Sequence, residues 1–445
     1  HRSKPPVGAV SAAVLVLALG GSCYAEPRHI TLDEALARAV KQNSMVKIAS
    51  LKAKEMDLRV QGAKANYFPT VSNETNTARL AETQRIDIPR GSMGIFQSTG
   101  PIPPVNIPIP LGNQNLLLST TTVTQPITQV FRIHAGVDVA RSEAAGARQD
   151  LRRTEGEIAQ KVKELYYGLL TTERRAEAVR LQIKAGEERL TEAHSAVEAG
   201  AVLGLKEVEG RAQLSQARLV LGTIEDAIAD LRLEFNDLIG LPLDTDVQLE
   251  RPAGEPLVVG LDEAAATALR DNPEINAAVQ TVEKARAGAR AARAEYIPDV
   301  GVFAQYIYQN GVPLLSQNNA VVGLQLKWTA LDFGKRHAAL RVSQTQLAEA
   351  EENLKRLRSR VQIDLEKSAR KVRRAETAVA AARDSVAARQ EGLRVASDQV
   401  EAGTADQSAL IEAEAALAAS QADLLQAEFG HCSAIAEVRR IMGAI

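Results

Sequence analysis

Enzymes need nucleophiles, titratable pairs or metal-ligand clusters at set spacings, and this chain offers few of them. Six histidines, two cysteines and four methionines are scattered over 445 residues. No phosphate loop, zinc spacing, paired-cysteine motif or G-x-S-x-G elbow occurs. His431 falls on a helical seam and reads as a packed side chain rather than a ligand. Cys432 beside it reads as a small buried apolar residue. So few Met and His residues supply no metal relay. The expectation is no catalytic residue, no metal and no cofactor, hence not an enzyme. Carboxylates are the remaining candidates. Asp33-Glu34 after Thr31, with Asp262-Glu263 as their copy, reads as a helix N-terminal cap. Glu198 and Glu401 stand in two identical stretches, Val197-Glu198-Ala199-Gly200 and Val400-Glu401-Ala402-Gly403, and Asp406 and Glu412 follow the second.

What those carboxylates do depends on the elements that carry them. Only 3% of the residues are aromatic and 24% are charged, the composition of long helices and coiled coils rather than of a ring-filled globule. A net charge of −2 gives no global field for nucleic acid. His1-Arg2-Ser3-Lys4, an apolar run from Val7 to Leu19 and the small Ala25 read as a secretory signal peptide over residues 1–25. The competing readings are a buried N-terminal helix and lipidation at Cys23, whose upstream Gly20-Gly21-Ser22 fits a lipobox poorly. Past the signal only Cys432 remains, so no internal disulfide forms. No later run reaches the ~18 apolar residues of a spanning helix. If the chain enters a membrane it must do so as a β-barrel.

The chain is a duplication. Leu32-Asp33-Glu34-Ala35, Asn43, Tyr67, Pro69 and Val71 recur 229 residues later, and from Pro126 onward the offset becomes 203. The first half therefore has 26 extra residues, which fall around the Pro/Gly/Asn-rich stretch Gly100–Asn115. That stretch can be neither helix nor central strand and reads as a long exposed loop. Its counterpart is the short Gln309–Asn319. Each half is helix, strand, loop, strand, long helix, turn, helix. Between Val300 and Tyr308 the even-numbered residues are apolar or aromatic, and Val322–Trp328 alternates apolar with Gly, Gln and Lys. Period two with a polar second face suits a strand between lipid and water. A solvated sheet over a core is the plainer alternative. Pro69 and Pro298 mark helix-to-strand junctions, and Gly334 permits the strand-to-helix bend.

Two long seams then follow. Ile158, Val162, Leu165 and Leu169 begin a strict 4-3-4-3 repeat that runs to Val197, and Val361 to Val400 copies it. A sustained 3.5-residue period means helices that supercoil around partners. Each seam ends at Val-Glu-Ala-Gly, where Gly200 and Gly403 suit a left-handed C-cap. Second seams run back from Leu214 to Leu238 and from Leu417 to Ile441. The fold class is mainly α with a small β part, in duplicated long-helix hairpins. The expected division is 1–25 signal, 26–245 first repeat with strands near 67–80 and 116–128 and a hairpin over 132–240. A linker over 246–260 precedes the second repeat, 261–445, with strands near 298–309 and 320–330 and a hairpin over 335–443. Four strands do not close a barrel, which needs about eight or more. Three chains give twelve, and the same symmetry gathers the hairpins into a trimeric α-barrel.

These features together resemble the TolC-like outer membrane efflux protein family. The carriers are the duplicated opening with Tyr67-Phe68-Pro69 and Tyr296-Ile297-Pro298, the Trp328–Arg336 corner, and the two turns with the seams after them. The resemblance spans nearly all of the chain past the signal. It implies a homotrimer with a 12-stranded outer-membrane β-barrel, set in outer-membrane lipid and continued by an α-helical tube through the periplasm. Such a duct is a passive exit for drugs, metals or proteins in tripartite efflux or type I secretion. It is energised by an inner-membrane transporter through a periplasmic adaptor protein. The two Val-Glu-Ala-Gly turns would be the periplasmic tip where the adaptor docks. The family commonly carries carboxylates just past the second turn, as a constriction. Glu412 occupies one such position, Ala409 the other, and Asp406 is the nearest substitute. The alternative function is an exported coiled-coil scaffold or stalk without a pore. An exported hydrolase is remote, for want of catalytic residues.

Overall fold

The computed structural model describes residues 28–83, 85–198, 204–252, 261–311 and 316–443. The expected signal peptide, Ala199, Gly200 and most of the expected linker lie outside them. The chain runs β1 (Arg28–Ile30), α1 (Leu32–Gln42), α2 (Ser44–Ala65), β2 (Thr70–Arg79), β3 (Arg85–Ile88), β4 (Ile95–Phe96), β5 (Gly100–Pro101), β6 (Ile107–Pro110), β7 (Asn115–Pro126), α3 (Val130–Glu198) and α4 (Leu205–Ile239). It continues β8 (Val247–Leu249), α5 (Leu261–Asp271), α6 (Pro273–Ala294), β9 (Asp299–Asn310), β10 (Asn318–Lys327), α7 (Lys335–Glu401) and α8 (Gln407–Ile441).

The 69 residues of α3 make a rod about 100 Å long at 1.5 Å per residue. A rod of that length has to be covered by different partners along its course. Its first part lies against α2 and α6, with Arg148–Asp57 at 2.6 Å and Lys284–Glu143 at 2.7 Å across the joints. Its second part lies against α4 and α8, with Arg180–Glu225 at 2.9 Å on the α4 side. The helix α7 packs on α6 and then on α8. Side by side the order is α2-α3-α6-α7 in one half of the rod and α4-α3-α8-α7 in the other. The layer therefore ends in two different edges, α2 with α4 on one side and α7 on the other.

Halfway along, two apolar clusters hold the layer together, and they are copies of each other. One joins Ala35, Ala39, Val162, Leu169 and Phe235; the other joins Ala264, Ala268, Leu365, Val372 and Val438, the residues at the repeat offsets. The duplicated Asn43 and Asn272 explain themselves here. Each caps the helix after it, and each donates its amide to the last turn of the returning helix. Asn43 donates to the Leu238 carbonyl at 3.2 Å, and Asn272 to the Ile441 carbonyl at 2.8 Å. In the first cluster the buried Tyr166 hydroxyl lies 2.9 Å and 2.7 Å from the carbonyls of Ile30 and Glu250, which ties the β1–β8 pair to α3. Burial pushes that phenol up to about 12. Cys432 is half-buried rather than buried, and the Tyr167 hydroxyl donates to its Sγ at 3.3 Å across the α3–α8 joint. His431 is half-buried, with Nε2 3.9 Å from Glu376 of α7.

The main sheet has four antiparallel strands in the order β10-β9-β7-β2. Its register puts Val322, Ala304, Val123 and Val71 side by side on one face. On the β9–β10 half that face is apolar and open: Val322, Leu324 and Leu326 are 77%, 74% and 67% exposed. On the β2–β7 half the same face carries Asn73, Thr75, Ser119 and Thr121, which hydrogen-bond to one another. The weak apolar pattern of those two strands in the sequence thus has a physical counterpart. The Pro-rich stretch leaves the sheet, and β6 within it pairs with β3 in a two-stranded arm. Both β2 and β10 have one unpaired edge.

Candidate functional site

The far ends of the two helical hairpins carry the candidate residues. At the second turn Val400 is half-buried and Glu401 is the last residue of α7. Ala402 closes the helix, with its N–H bonded to the Asp398 carbonyl at 3.0 Å. Gly403 then takes φ of +71°, the left-handed conformation that favours glycine. The N–H and hydroxyl of Thr404 both bond the Gln399 carbonyl, at 2.9 Å and 3.0 Å, which completes the cap. Asp406 takes the extended N-cap geometry of α8, but its carboxylate does not cap the helix.

At the first turn Val197 is half-buried and Glu198 exposed. His194 lies one turn back, 3.4 Å from Glu198 and 3.7 Å from Glu207 of α4. Glu207 is itself held by Arg211 at 2.5 Å. The two helices of this hairpin are thereby clamped just before the chain reverses.

Between the hairpins runs a polar groove of about 1100 Å³. It is formed by α3, α4 and α8, with Arg389 of α7 at its side. Asp406 and Glu412 both line it, as do Glu192 and Glu209. Two features hold α8 to α3 here. Arg189 forms an ion pair with Glu412, and the buried Ser408 donates to Glu192 at 3.2 Å. Glu412 is therefore a neutralised partner of the first hairpin within the chain, not a lone carboxylate. Arg189 was not legible as a site residue. Its copy at the repeat offset is Gly392, and nothing in the spacing says that α3 and α8 become neighbours. Among the described residues no group of His, Cys, Asp and Glu side chains could hold a metal ion.

The sheet meets the helices at a second built corner. Asp332 accepts from the backbone N–H of Gly334 and Arg336, each at 3.1 Å, and from the Arg336 guanidinium at 2.6 Å. Those hydrogen bonds, the guanidinium first, hold its carboxyl below the usual range. Arg336 also lies over the Tyr296 ring at 5.4 Å. Around the corner Leu331 is exposed and Phe333 almost fully open. No described helix is long and apolar enough to cross a membrane. Exposed apolar side chains lie on the sheet and at this corner, and also on the arm and along the helices.

A model of the family described as "Outer membrane efflux protein" matches residues 264–444. The outer membrane efflux protein BepC of Brucella suis is 22% identical over 402 residues, which cover 89% of this chain and 82% of that protein. The fold is that of solved channels. CmeC, an outer membrane channel of Campylobacter jejuni, superposes with a TM-score of 0.73 at 12% identity, over 93% of this chain and 85% of that one. VceC, an outer membrane protein of Vibrio cholerae, gives 0.70 at 16% identity, over 93% and 96%. With the duplicated rods and the four-stranded sheet in place, residues 264–444 match the outer membrane efflux protein family, and the chain as a whole has the fold of solved outer membrane channels.

Proposed function

We propose that three copies close into a single passive exit duct, a twelve-stranded barrel continued by a helical tube, which serves an inner-membrane transporter through a periplasmic adaptor. The observation that carries this is the pair of unlike edges. A layer that ends in α7 on one side and in α2 with α4 on the other calls for a heterologous contact, and a heterologous contact that closes makes a ring. The sheet ends in the same way, in β10 and β2, and unpaired edges of that length are not left open in a stable protein.

The two helical edges match in chemistry. Met45, Ile48 and Leu51 on α2 and Leu219 and Leu233 on α4 are exposed, as are Val342, Ile363 and Val395 on α7. The face of α4 opposite its core carries Asp226, Asp230, Glu234 and Asp237. The corresponding face of α7 carries Arg356, Lys367, Arg370 and Arg374. The repeat suggests the docking: α7 lies on the neighbour's α2 and α4 as α3 lies on α6 and α8 within one chain. Residues 26–245 and 261–445 then act as two pseudo-equivalent units, and the ring has six helical hairpins. The open apolar face of β9 and β10 meets lipid, which a pore-free stalk would not require.

The turns at Val197–Gly200 and Val400–Gly403 form the tip that receives the adaptor. The groove with Asp406 and Glu412 is the aperture, held narrow by the Arg189–Glu412 pair. The duct performs no chemistry. The substrate is small-molecule or protein cargo chosen by the transporter.

The test is a designed crosslink. In a Cys432→Ser background, Ile363→Cys with Leu233→Cys places one thiol on each edge. The reading predicts oxidation to a covalent three-chain species. A product confined to single chains overturns it.

A further inference from the structure

The register of the main sheet sorts the face that carries Val322 into levels. Nearest the helices that face is apolar: Leu326 beside Val300, Leu324 beside Val302, then Val322, Ala304, Val123 and Val71 in one row. The polar exception, Gln125, turns its amide to the Tyr67 and Pro126 carbonyls, each at 3.0 Å. The next level away from the helices is different. Ala320, Tyr306, Thr121 and Asn73 stand side by side there, and Asn318, Tyr308, Ser119 and Thr75 one level beyond. All of these but Ala320 carry a hydrogen-bonding group, and none carries a charge. The change falls at one depth on all four strands, so it reflects the surroundings of the sheet rather than the propensity of any one strand.

Two details give the change a direction and a scale. Tyr306 is 50% exposed, and its hydroxyl donates to Asn318 Oδ1 at 2.7 Å, one level further from the helices. A ring so placed keeps its body on the apolar side and its polar tip on the wet side. Ala320, opposite Tyr306, stands eight residues before the exposed Trp328 at the helix end of β10. At about 3.4 Å per residue and a tilt of about 40° this is a height of about 21 Å, close to the ~25 Å apolar band of an outer-membrane barrel.

We propose that the two polar levels are a docking surface for headgroups of the outer lipid leaflet, and that the headgroup they take is uncharged and rich in hydroxyls, a sugar. This rests on the reading that the face with Val322, Leu324 and Leu326 meets lipid. A phosphate would call for Arg or Lys donors, and these two levels have none. Hydroxyls and amides suit a sugar, because they both donate and accept. Asn73 donates to Ser119 and Thr121, at 3.1 Å and 2.8 Å, and accepts from Thr75 at 2.9 Å. That lattice fixes three hydroxyls across β2 and β7, and each keeps a lone pair for an outside donor.

The test reconstitutes full-length protein in phosphatidylcholine nanodiscs that hold the same mole fraction of either digalactosyl diacylglycerol or phosphatidylglycerol. Native mass spectrometry counts the lipid that each assembly retains. The expected result is digalactosyl lipid retained above its bulk fraction and phosphatidylglycerol retained at it. Asn73→Leu with Thr121→Val should cut the excess roughly tenfold. Ser72→Val with Thr122→Val, on the other face of the same strands, should leave it unchanged. Equal retention of the two lipids, preference for phosphatidylglycerol, or equal loss in both double variants overturns the proposal. Should the Asn73 variant fail to assemble, a glycolipid with a photoreactive group on its sugar decides with the parent. Labels within 73–75 and 119–121 support the surface, and labels confined elsewhere reject it. Protein that never enters the nanodisc overturns the lipid-facing reading itself, an outcome seen before any lipid is counted.

Discussion

Charge exchange at Arg189 and Glu412 probes the proposed aperture most sharply. Both side chains are about half exposed, at 46% and 51%, so solvent screens the pair and its worth in one chain is about 0.2–1 kcal/mol. Three chains that act together multiply this to about 0.6–3 kcal/mol, or roughly a 3- to 150-fold change in the ratio of wide to narrow tips. Removing the cation alone should do more than removing the pair. With Arg189→Ala, Glu192, Glu209, Asp406 and Glu412 share the groove with only Arg389. Single-channel recording in planar bilayers reads the outcome. Arg189→Ala and Glu412→Arg should raise the open fraction, and Arg189→Glu with Glu412→Arg should return it toward the parent. Cation preference should weaken in Glu412→Ala. If all four variants conduct as the parent does, or if the exchanged pair adds the effects of its two single changes, the pair does not hold the tip and the aperture lies elsewhere.

Tyr166→Phe should cost about 1–3 kcal/mol, because the buried Ile30 carbonyl and the part-buried Glu250 carbonyl lose the hydroxyl, and it should show as a lower unfolding midpoint. The pH dependence has a definite sign. The folded-state value is raised from 10.0 to about 12, so the neutral phenol's contribution is complete below pH 10 and is lost as pH climbs toward 12. This part of the alkaline decline should be missing in the phenylalanine variant. Gly443→Ala should destabilise more than Gly240→Ala. Both have positive φ, but the new Cβ would meet the Asp271 backbone carbonyl at 2.3 Å in the first case and the movable Gln42 side chain at 2.7 Å in the second. Thermal scans of the two variants check the order. Shortening Gly100–Asn115 to the length of Gln309–Asn319 should leave assembly intact, since β3 and β6 pair only with each other; loss of the assembled species on native gels would make the arm structural.

Much of this architecture could be read from residue types because duplication doubles every signal. Asn43 and Asn272, or Ala35 and Ala264, are weak evidence singly, but at one offset they announce two equivalent joints, and the two clusters are built from those pairs. The seams were legible because a 3.5-residue period survives over the whole of a long rod. Position on the rod was harder. Which helices become neighbours depends on where α6 stops and α8 arrives along α3, and periodicity carries no such information. Arg189 beside Glu412 escaped notice for that reason. The polar ladder of Asn73, Thr75, Ser119 and Thr121 blurred the outward face of the first-half strands, because its hydroxyls and amide satisfy one another across strands rather than alternating with apolar side chains. Cys432 read as buried because cysteine usually is, whereas here Tyr167 fixes it at a helix joint.

The central claim is that one chain is a third of a duct. The mass of the detergent-extracted, full-length protein, measured by light scattering with the detergent contribution subtracted, tests it directly. The account predicts a single species of three chains, with no monomer at working concentrations. A stable monomer, or an open series of higher assemblies, would contradict the ring closure on which the barrel, the tube and the aperture all depend.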